Sequence, residues 1–261
     1  MPELGTAKQL AMRAEWALTS LRDWREYRRR RAQFKGQTRG TDVKRIDAPA
    51  GHRTRHTYRI AGGEAFTTFQ MDQRWKIVAN LYPERLTSLL DIGCCRGWFV
   101  IKAAMRPECE KALGIDVVQG FIDSANEAKN ALNLGDKVMF DYAFLDDVAN
   151  NPAKYRTPYQ TIVLLNTYHY MYWGSGYSDK HWADHEYLLG TLAGICTDRV
   201  IFMSPLEIEH CPSDIARRAR QHPEWAPNFT TEKFLEVAGK YFDVTHEGYL
   251  GIRPLYLMKK K

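Results

Sequence analysis

The sequence has few cysteines and no long apolar run. Its five cysteines are an odd number without disulfide-like spacing, which argues against a secreted, disulfide-stabilised protein and favours a reducing compartment. No stretch approaches the roughly 20 consecutive apolar residues that span a bilayer. The first residues, MPELGTAKQL, lack the apolar region of a signal peptide. We therefore expect a cytoplasmic protein with no membrane partner.

The composition is that of a folded protein with an uneven charge distribution. A length of 261 residues fits one α/β domain with extensions, and a hydrophobic content of 44% supplies a sizeable core. The net charge is +6, yet residues 1–60 hold fifteen Lys and Arg against six Asp and Glu, so the rest of the chain has a slight acidic excess. A basic segment of this kind attracts nucleic acid, a membrane surface or an acidic substrate.

The basic segment is predicted to begin with a helix over residues 8–34. Its apolar side chains recur at spacings of three and four, at Leu10, Ala14, Ala17, Leu21 and Trp24. This stripe would pack on the main domain or on a second copy of the chain in a homodimer. Arg28 to Arg31 are either a solvated helix end or a phosphate contact. The loop-rich stretch 36–63 is either a cover over an active site or a linker.

The stretch Ser88 to Gly97, SLLDIGCCRG, is the most informative part of the chain. A short apolar run ends in Asp91, a turn with glycines follows, and a helix is predicted from Trp98. A buried strand that delivers an acidic residue into a Gly-rich turn at a helix start is typical of a nucleotide-type cofactor site. Gly93 and Gly97 allow a tight turn and close approach of a ligand.

This stretch resembles the first motif of the class I S-adenosylmethionine-dependent methyltransferases, hydrophobic-hydrophobic-Asp/Glu-x-Gly-x-Gly-x-Gly. The chain keeps Asp91, Gly93 and Gly97 and has Cys95 at the middle glycine position. The resemblance extends over roughly residues 66–260. It implies S-adenosyl-L-methionine as the cofactor, with the Asp91–Gly97 turn, including Cys94, against its methionine portion.

The family's fold is a Rossmann-like α/β fold with a seven-stranded, mostly parallel sheet and a C-terminal antiparallel hairpin. The chain has suitable apolar runs for the parallel strands, at residues 87–92, 113–116, 137–140, 161–165 and 199–203. Two further strands around Gly251 to Pro254 would form the hairpin. We therefore expect a methyltransferase domain at residues 66–261, preceded by a basic helix and loop extension at residues 1–65.

Asp116 ends the second predicted strand, ALGID. Its distance along the chain from Asp91 is near the ~20 residues that separate a Gly-rich turn from a ribose-binding carboxylate. A carboxylate at this position can accept both ribose hydroxyl hydrogens. We include the adjacent Val117 in the predicted cofactor site.

The family's adenine-binding position falls in the segment DYAFLDD, after the third strand. Alignment places Phe144 there, preceded by Ala143, while Asp146 and Asp147 come slightly late. Phe144 would stack on the adenine ring or belong to the core.

The fourth predicted strand is followed by Asn166-Thr167-Tyr168-His169, which resembles the family's fourth motif, N-x-x-H. Ligands in open α/β sheets sit at the carboxyl ends of the strands. The resemblance places Asn166 at the cofactor. His169 is the predicted general base for a hydroxyl acceptor, because a near-neutral pKa suits that task. The alternative is that His169 only shapes the pocket.

A helix is predicted over residues 66–81, ending before Pro83. In many class I methyltransferases the helix before the first strand reaches the methionine end of the cofactor. That analogy makes Arg74 a predicted cofactor contact, with Gln70 and Trp75 as further candidates.

A further helix is predicted over residues 179–193, where His181 and His185 are four residues apart. Two His at this spacing can bind a metal. No third ligand follows at a recognisable spacing, so we predict no metal.

The predicted reaction is methyl transfer to an O or N atom of a small molecule. An aromatic wall near the acceptor would come from the segment after the fourth strand, Tyr168, Tyr170, Tyr172 and Trp173. One alternative is a tRNA-type RNA acceptor bound through basic residues 22–59, although no recognisable RNA-binding module is present. Another is a non-catalytic binding protein with the same fold.

Overall fold

A computed structural model describes residues 24–35, 43–46, 57–250 and 253–261. The predictions for residues 1–23 and for most of the loop 36–63 lie outside these residues. Within them, no helix has both the length and the apolar character required to cross a membrane.

The N-terminal part contains a helix and a small antiparallel sheet. Residues 24–35 are helical (α1). The sheet has the order β1-β2-β3, with bounds Lys44–Ile46 (β1), Tyr58–Ala61 (β2) and Glu64–Thr67 (β3). Because β3 pairs with β2, residues 66 and 67 belong to a strand and not to the helix predicted from residue 66. That helix, α2, is Phe69–Ala79, and the Thr68 side chain caps it by accepting a hydrogen bond from the Met71 N–H.

The main sheet has the order β6-β5-β4-β7-β8-β10-β9. Its strands are Ser88–Ile92 (β4), Lys111–Asp116 (β5), Val138–Tyr142 (β6), Tyr159–Leu165 (β7), Cys196–Met203 (β8), Phe242–Leu250 (β9) and Arg253–Lys260 (β10). The first five run parallel, and β10 pairs antiparallel with both β8 and β9. This confirms the predicted fold class, a mostly parallel seven-stranded sheet with a C-terminal antiparallel hairpin.

Helices connect the strands on both faces of the sheet. Their bounds are Trp98–Ala104 (α3), Gln119–Ala131 (α4), Leu145–Asn150 (α5), Pro152–Tyr155 (α6), Tyr168–Trp173 (α7), His185–Ile195 (α8), Ser213–Gln221 (α9) and Thr231–Tyr241 (α10). Short 3₁₀ turns lie at Gly135–Lys137, Ile208–His210 and Ala226–Asn228.

The helix predicted over residues 179–193 starts later than expected. The Asp184 carboxylate accepts hydrogen bonds from the N–H groups of Glu186 and Tyr187, which fixes the start of α8 at His185. His181 therefore lies on the preceding loop and does not share a helix face with His185. No group of three metal-ligating side chains occurs among the residues that the structure describes.

The core consists of two apolar clusters, one on each face of the main sheet. Successive residues of a strand point to opposite faces. Leu90 and Ile92 of β4 belong to the cluster that includes side chains of α8 and α10. Leu89 belongs to the cluster that includes side chains of α3 and α4. Burial of both faces explains why the parallel strands are continuous apolar runs in the sequence.

Candidate active site

A cavity of about 420 Å³ lies at the carboxyl ends of the parallel strands. It is lined by Gly93 after β4, Asp116 at the end of β5, Ala143 after β6 and Asn166 after β7. Ligands bind at this edge in open α/β sheets, and the volume is in the range of small-molecule sites. The structure thus brings predicted site residues from four separate strands to one cavity.

Asp116 organises the turn that follows β4. Its Oδ2 accepts a 2.9 Å hydrogen bond from the Cys95 N–H, and its Oδ1 accepts a 3.0 Å bond from the Val118 N–H. The first bond holds Cys95 at a φ of 52°, a left-handed conformation that a glycine would adopt more easily. Each carboxylate oxygen has lone pairs for more than one donor, so Asp116 can hold the turn and accept from a ligand as well. Val117, which was also predicted, lines the cavity beside it.

Gly93 allows the first turn to pack against the segment after β7. It has a φ of +75°, and a Cβ built on it would lie 2.0 Å from Thr167 Oγ1. The N–H groups of Gly93 and Cys94 donate to the Ile115 carbonyl at 2.9 and 3.0 Å, which anchors the turn to β5. The cavity wall at Gly93 is therefore a close contact between two loops.

Gly97 and Cys94 were both predicted at the cofactor, and neither lines this cavity. Gly97 has a φ of +75°, and a Cβ there would lie 2.3 Å from the Phe140 ring. Its role in the structure is thus to let the start of α3 pack on the sheet. Cys94 is 5% exposed and packs in the apolar cluster on that face. Cys95, at the position of the family's middle glycine, does line the cavity.

A smaller cavity of about 50 Å³ adjoins the first, and both linings include Arg74, Gly93 and Cys95. Asp91 and Cys94 line the smaller one. Burial raises the pKa of Asp91 to about 8, and the nearby Asp116 carboxylate adds to this effect. An acid with this pKa carries a proton through much of the neutral range, which reduces the charge repulsion between the two carboxyl groups.

Arg74, a predicted cofactor contact, lines both cavities. Burial lowers the pKa of its guanidinium, and the positive charge of Arg253 lowers it further. Guanidinium groups nevertheless stay protonated in proteins. Arg74 therefore places a positive charge at the junction of the two cavities.

Ala143 and Phe144 form the wall beyond β6. The Phe144 N–H donates to Asp147 Oδ2 at 2.8 Å, which caps the start of α5. Lys180 Nζ lies 4.4 Å from the centre of the Phe144 ring and forms a 2.8 Å ion pair with Asp146. Asp146 and Asp147 thus have structural partners, and Phe144 is a wall residue of the cavity.

The loop between α7 and α8 contributes side chains that the sequence did not indicate. These lining residues are Ser175, Tyr177, Ser178, Lys180 and Trp182. Half of the loop was predicted to be helix, and no motif marked its polar and aromatic residues as part of a site. The signal in the sequence is Asp184, a residue type that commonly caps a helix N-terminus. A helix starting after Asp184 leaves the preceding residues in a loop.

Asn166 lies at the end of β7 in a left-handed conformation, with a φ of 59°. Its N–H donates to the Met203 carbonyl at 2.6 Å, and its Oδ1 accepts a hydrogen bond from Arg253 Nη1. Asn tolerates this backbone region better than most residues. These contacts fix Asn166 in the cavity wall.

His169 is buried at 1% exposure and is not among the described residues that line the cavity. Its Nδ1 forms a 2.8 Å hydrogen bond with the Ser204 hydroxyl. Burial lowers the pKa of His169 to about 3, with the Arg253 charge adding to this effect. The general-base role is still a prediction, and this environment does not favour it. Of the predicted aromatic wall, Tyr170 lines the cavity, whereas Tyr168, Tyr172 and Trp173 are core residues.

Comparison with protein-family models and with curated proteins gives no match. Comparison with solved structures gives matches to methyltransferases. The bifunctional kinase-methyltransferase WbdD matches with a TM-score of 0.53 and 18% identity, over 72% of this chain and 39% of that one. An O-methyltransferase family protein from Burkholderia thailandensis matches with a TM-score of 0.50 and 14% identity, over 74% of this chain and 57% of that one. A putative O-methyltransferase from Nostoc punctiforme PCC 73102 matches with a TM-score of 0.51 and 15% identity, over the same shares of the two chains.

The chain has the class I methyltransferase fold. The resemblance seen in the first motif is thereby confirmed at the level of the fold. The chain spans between 39% and 57% of the length of these solved methyltransferase chains. In this fold the cavity at Asp116 lies at the strand ends where the sequence predicted the cofactor.

Proposed function

We propose that this protein is an S-adenosyl-L-methionine-dependent methyltransferase. The observation that carries the proposal is the Asp116 carboxylate, which lines the cavity while the N–H groups of Cys95 and Val118 hold it in place. A preorganised carboxylate at the end of the second parallel strand suits a ligand with vicinal hydroxyls, such as a ribose.

The other cavity residues fit the remaining parts of this cofactor. The apolar side chains around Val117 and Phe144 suit a flat adenine ring. The Arg74 guanidinium, at the junction of the two cavities, suits the methionine carboxylate. When bound, the cofactor supplies an activated methyl group on a positively charged sulfur.

The protein's contribution would be to position the acceptor and to exclude water. Within the described part of the cavity lining, the charged side chains are Asp116, Arg74 and Lys180, and we assign Asp116 to the ribose. His169 has its Nδ1 bonded to Ser204 and lies outside this lining. We therefore propose transfer by proximity, without a general base, to an acceptor that ionises readily or is already a nucleophilic amine.

We propose a small-molecule acceptor, methylated on an O or N atom. Tyr170, Tyr177 and Trp182 add aromatic surface to the cavity, which suits a compact organic molecule more than a polymer. The matched structures named as O-methyltransferases support oxygen as the acceptor atom. Transfer of a labelled methyl group to members of a metabolite library tests this part of the proposal.

Calorimetric titration with S-adenosylhomocysteine tests the cofactor assignment. Binding in the micromolar range is expected for the wild type. Asp116→Asn removes a charged acceptor and is expected to weaken binding by roughly tenfold or more. Asp123→Asn is the matched control, because Asp123 is an exposed residue of α4 whose carboxylate bonds to Gln119. No binding by the wild type, or equal losses in the two variants, would contradict the assignment.

The alternative acceptor, RNA, is tested with the same samples. The ratio of absorbance at 260 and 280 nm reports nucleic acid that copurifies with the protein. RNA held through phosphates is released by high salt. Salt-released RNA together with methyl transfer to it would replace the small-molecule acceptor, and its absence supports the first choice.

A further inference from the structure

A second cavity of about 300 Å³ lies between α1 and the small sheet. Its lining shares no described residue with that of the candidate active site. Four of its side chains are cationic, Arg31, Lys35, Arg45 and Arg59, and none of the described residues that line it is acidic. The cavity therefore concentrates positive charge in the basic part of the chain.

Two of these cations oppose each other across a strand pair. Arg45 of β1 is the direct antiparallel partner of Arg59 of β2, so both side chains are on the same face of the small sheet. Like charges that are directly opposite in a sheet are destabilising. Lys44, the neighbour of Arg45, has an acidic partner, since its Nζ lies 3.5 Å from Glu127 Oε2.

The other two cations, Arg31 and Lys35, are four residues apart on α1 and face the same cavity. A like-charge pair at this spacing also destabilises a helix. Two acidic residues near α1 that the structure describes have other partners. Glu26 pairs with Lys76 at 3.0 Å, and Asp72 accepts a hydrogen bond from Arg30 at 3.0 Å. Two pairs of like-charged side chains thus line one cavity, and a bound anion would be attracted by all four cations.

The rest of the lining consists of four aromatic residues and three threonines, Tyr27, Phe34, Tyr58, Phe66, Thr57, Thr67 and Thr68. Phe66, the strand partner of Arg59, stacks on Phe34 and Tyr27 of α1 with ring centroids 5.2 and 5.3 Å apart. Tyr58 donates a 2.6 Å hydrogen bond to the Arg96 carbonyl, which ties this cavity to the turn of the active site. A ligand that suits the lining has at least two negative charges and an apolar or aromatic part.

We propose that this second cavity binds the phosphate groups of a nucleotide, either free or within an RNA strand. Arg31, Lys35, Arg45 and Arg59 would contact the phosphates, and the aromatic residues would contact the base or sugar. Arg is suited to this role because its guanidinium presents several donors to phosphate oxygens. Positive charge next to aromatic side chains is the combination that nucleotide-binding grooves use. The proposal does not depend on the methyltransferase activity.

Titration of the full chain with ADP, adenosine and a short single-stranded oligouridylate tests the proposal. ADP is expected to bind roughly tenfold or more tightly than adenosine, with an affinity that falls as salt is added. Oligouridylate binding more tightly than ADP identifies an RNA strand as the source of the phosphates, and the reverse identifies a free nucleotide. Equal affinity for ADP and adenosine, or binding of neither phosphate probe, would overturn the proposal.

Variants locate the binding in this cavity. The double variant Arg45→Gln/Arg59→Gln is expected to bind the phosphate probe roughly tenfold or more weakly than the wild type. Its melting temperature, compared with that of the wild type, shows whether the variant is folded when affinity is measured. The double variant Arg28→Gln/Arg29→Gln removes the same charge from exposed positions of α1 outside the lining, and it is expected to retain affinity. Equal losses in both double variants would show only a general charge effect and overturn the assignment.

The candidate active site is controlled separately, because it too is expected to bind a nucleoside. Asp116→Asn should leave ADP affinity unchanged if ADP binds in the second cavity. A loss of ADP binding in this variant would place the ligand at Asp116 and overturn the proposal. Binding of S-adenosylhomocysteine by Arg45→Gln/Arg59→Gln shows that the main cavity is intact, so the two assignments can fail independently.

Discussion

Thr167 Oγ1 occupies the space that a side chain on Gly93 would need. A Cβ on Gly93 would lie 2.0 Å from this oxygen and 2.9 Å from the Thr167 Cβ. The turn after β4 and the turn after β7 therefore contact each other directly at the wall of the main cavity. Any side chain at position 93 must push these turns apart.

Gly93→Ala is expected to destabilise the protein by roughly 3 kcal/mol or more, because it adds a clash to the strain of a left-handed alanine. Gly62→Ala is the matched control, since Gly62 also has a positive φ, but a Cβ added there would have no atom within 4 Å. Gly62→Ala should lower the free energy of unfolding by about 1 kcal/mol. Urea unfolding measures both losses. Similar losses in the two variants would mean that the contact with Thr167 is easily relieved.

Lys180 is expected to support the adenine end of the main cavity. It lies over Phe144 and pairs with Asp146, so Lys180→Ala should free the Phe144 ring and weaken binding of S-adenosylhomocysteine several-fold. Lys154 makes the same two kinds of contact outside the cavity, 4.6 Å from the Tyr155 ring centre and 2.7 Å from Asp141 Oδ2. Lys154→Ala should leave affinity unchanged, and a loss as large as that of Lys180→Ala would argue against a local role.

Acid is expected to destabilise the protein through its buried histidines. Burial lowers the pKa of His169 to about 3 and that of His185 to about 4, both below the ordinary value of 6.5. As the pH falls below 6.5, these side chains gain protons in the unfolded chain but stay neutral in the folded one. Below pH 6.5 each histidine therefore lowers the free energy of unfolding by up to about 1.4 kcal/mol per pH unit. Asp91, whose pKa is about 8 in the folded chain, contributes a slope of the opposite sign, so the two histidines together outweigh it only below pH 6.5.

Urea unfolding between pH 6.5 and pH 5 measures this slope. His169→Asn should have a smaller slope than the wild type, whereas replacement of the exposed His246 by Asn should retain most of it. An unchanged slope in His169→Asn would mean that His169 is accessible to protons in the folded state. That result would favour the general-base prediction over transfer by proximity.

The sequence predicts those parts of the site that depend on local pattern. Asp91 and Asp116 end apolar runs, so their positions at the strand ends followed from the strands themselves. The cap of α10 is equally local, since the Thr230 side chain accepts a hydrogen bond from the Lys233 N–H. These features need only neighbouring residues to be recognised.

The features that sequence analysis missed depend on contacts between distant parts of the chain. The role of Gly97 follows from the Phe140 ring on β6. The burial of His169 follows from Ser204, which comes after β8. Neither contact leaves a periodic or spaced pattern, so the motif alone placed Gly97 and His169 at the ligand.

Arg74 and Asp116 are expected to contact different parts of the same ligand, the methionine carboxylate and the ribose, and two ligands can separate their roles. S-adenosylhomocysteine has a methionine-type carboxylate, whereas methylthioadenosine keeps the ribose and adenine and lacks that carboxylate. Arg74→Gln should weaken the binding of S-adenosylhomocysteine by roughly tenfold and leave the binding of methylthioadenosine unchanged. Only the first ligand has the carboxylate that pairs with the guanidinium. Asp116→Asn should weaken both ligands.

Lys76→Gln controls for loss of a positive charge on α2, since Lys76 pairs with Glu26 of α1 and is not among the described residues that line either cavity at the active site. Calorimetry with the two ligands gives a pattern that a general loss of stability cannot reproduce. If Arg74→Gln were misfolded, it would bind both ligands more weakly. If the effect were a nonspecific loss of positive charge, Lys76→Gln would lose as much affinity for S-adenosylhomocysteine as Arg74→Gln does. If Arg74→Gln binds both ligands as tightly as the wild type does, the methionine carboxylate lies elsewhere in the cavity, and the role proposed for Arg74 is wrong.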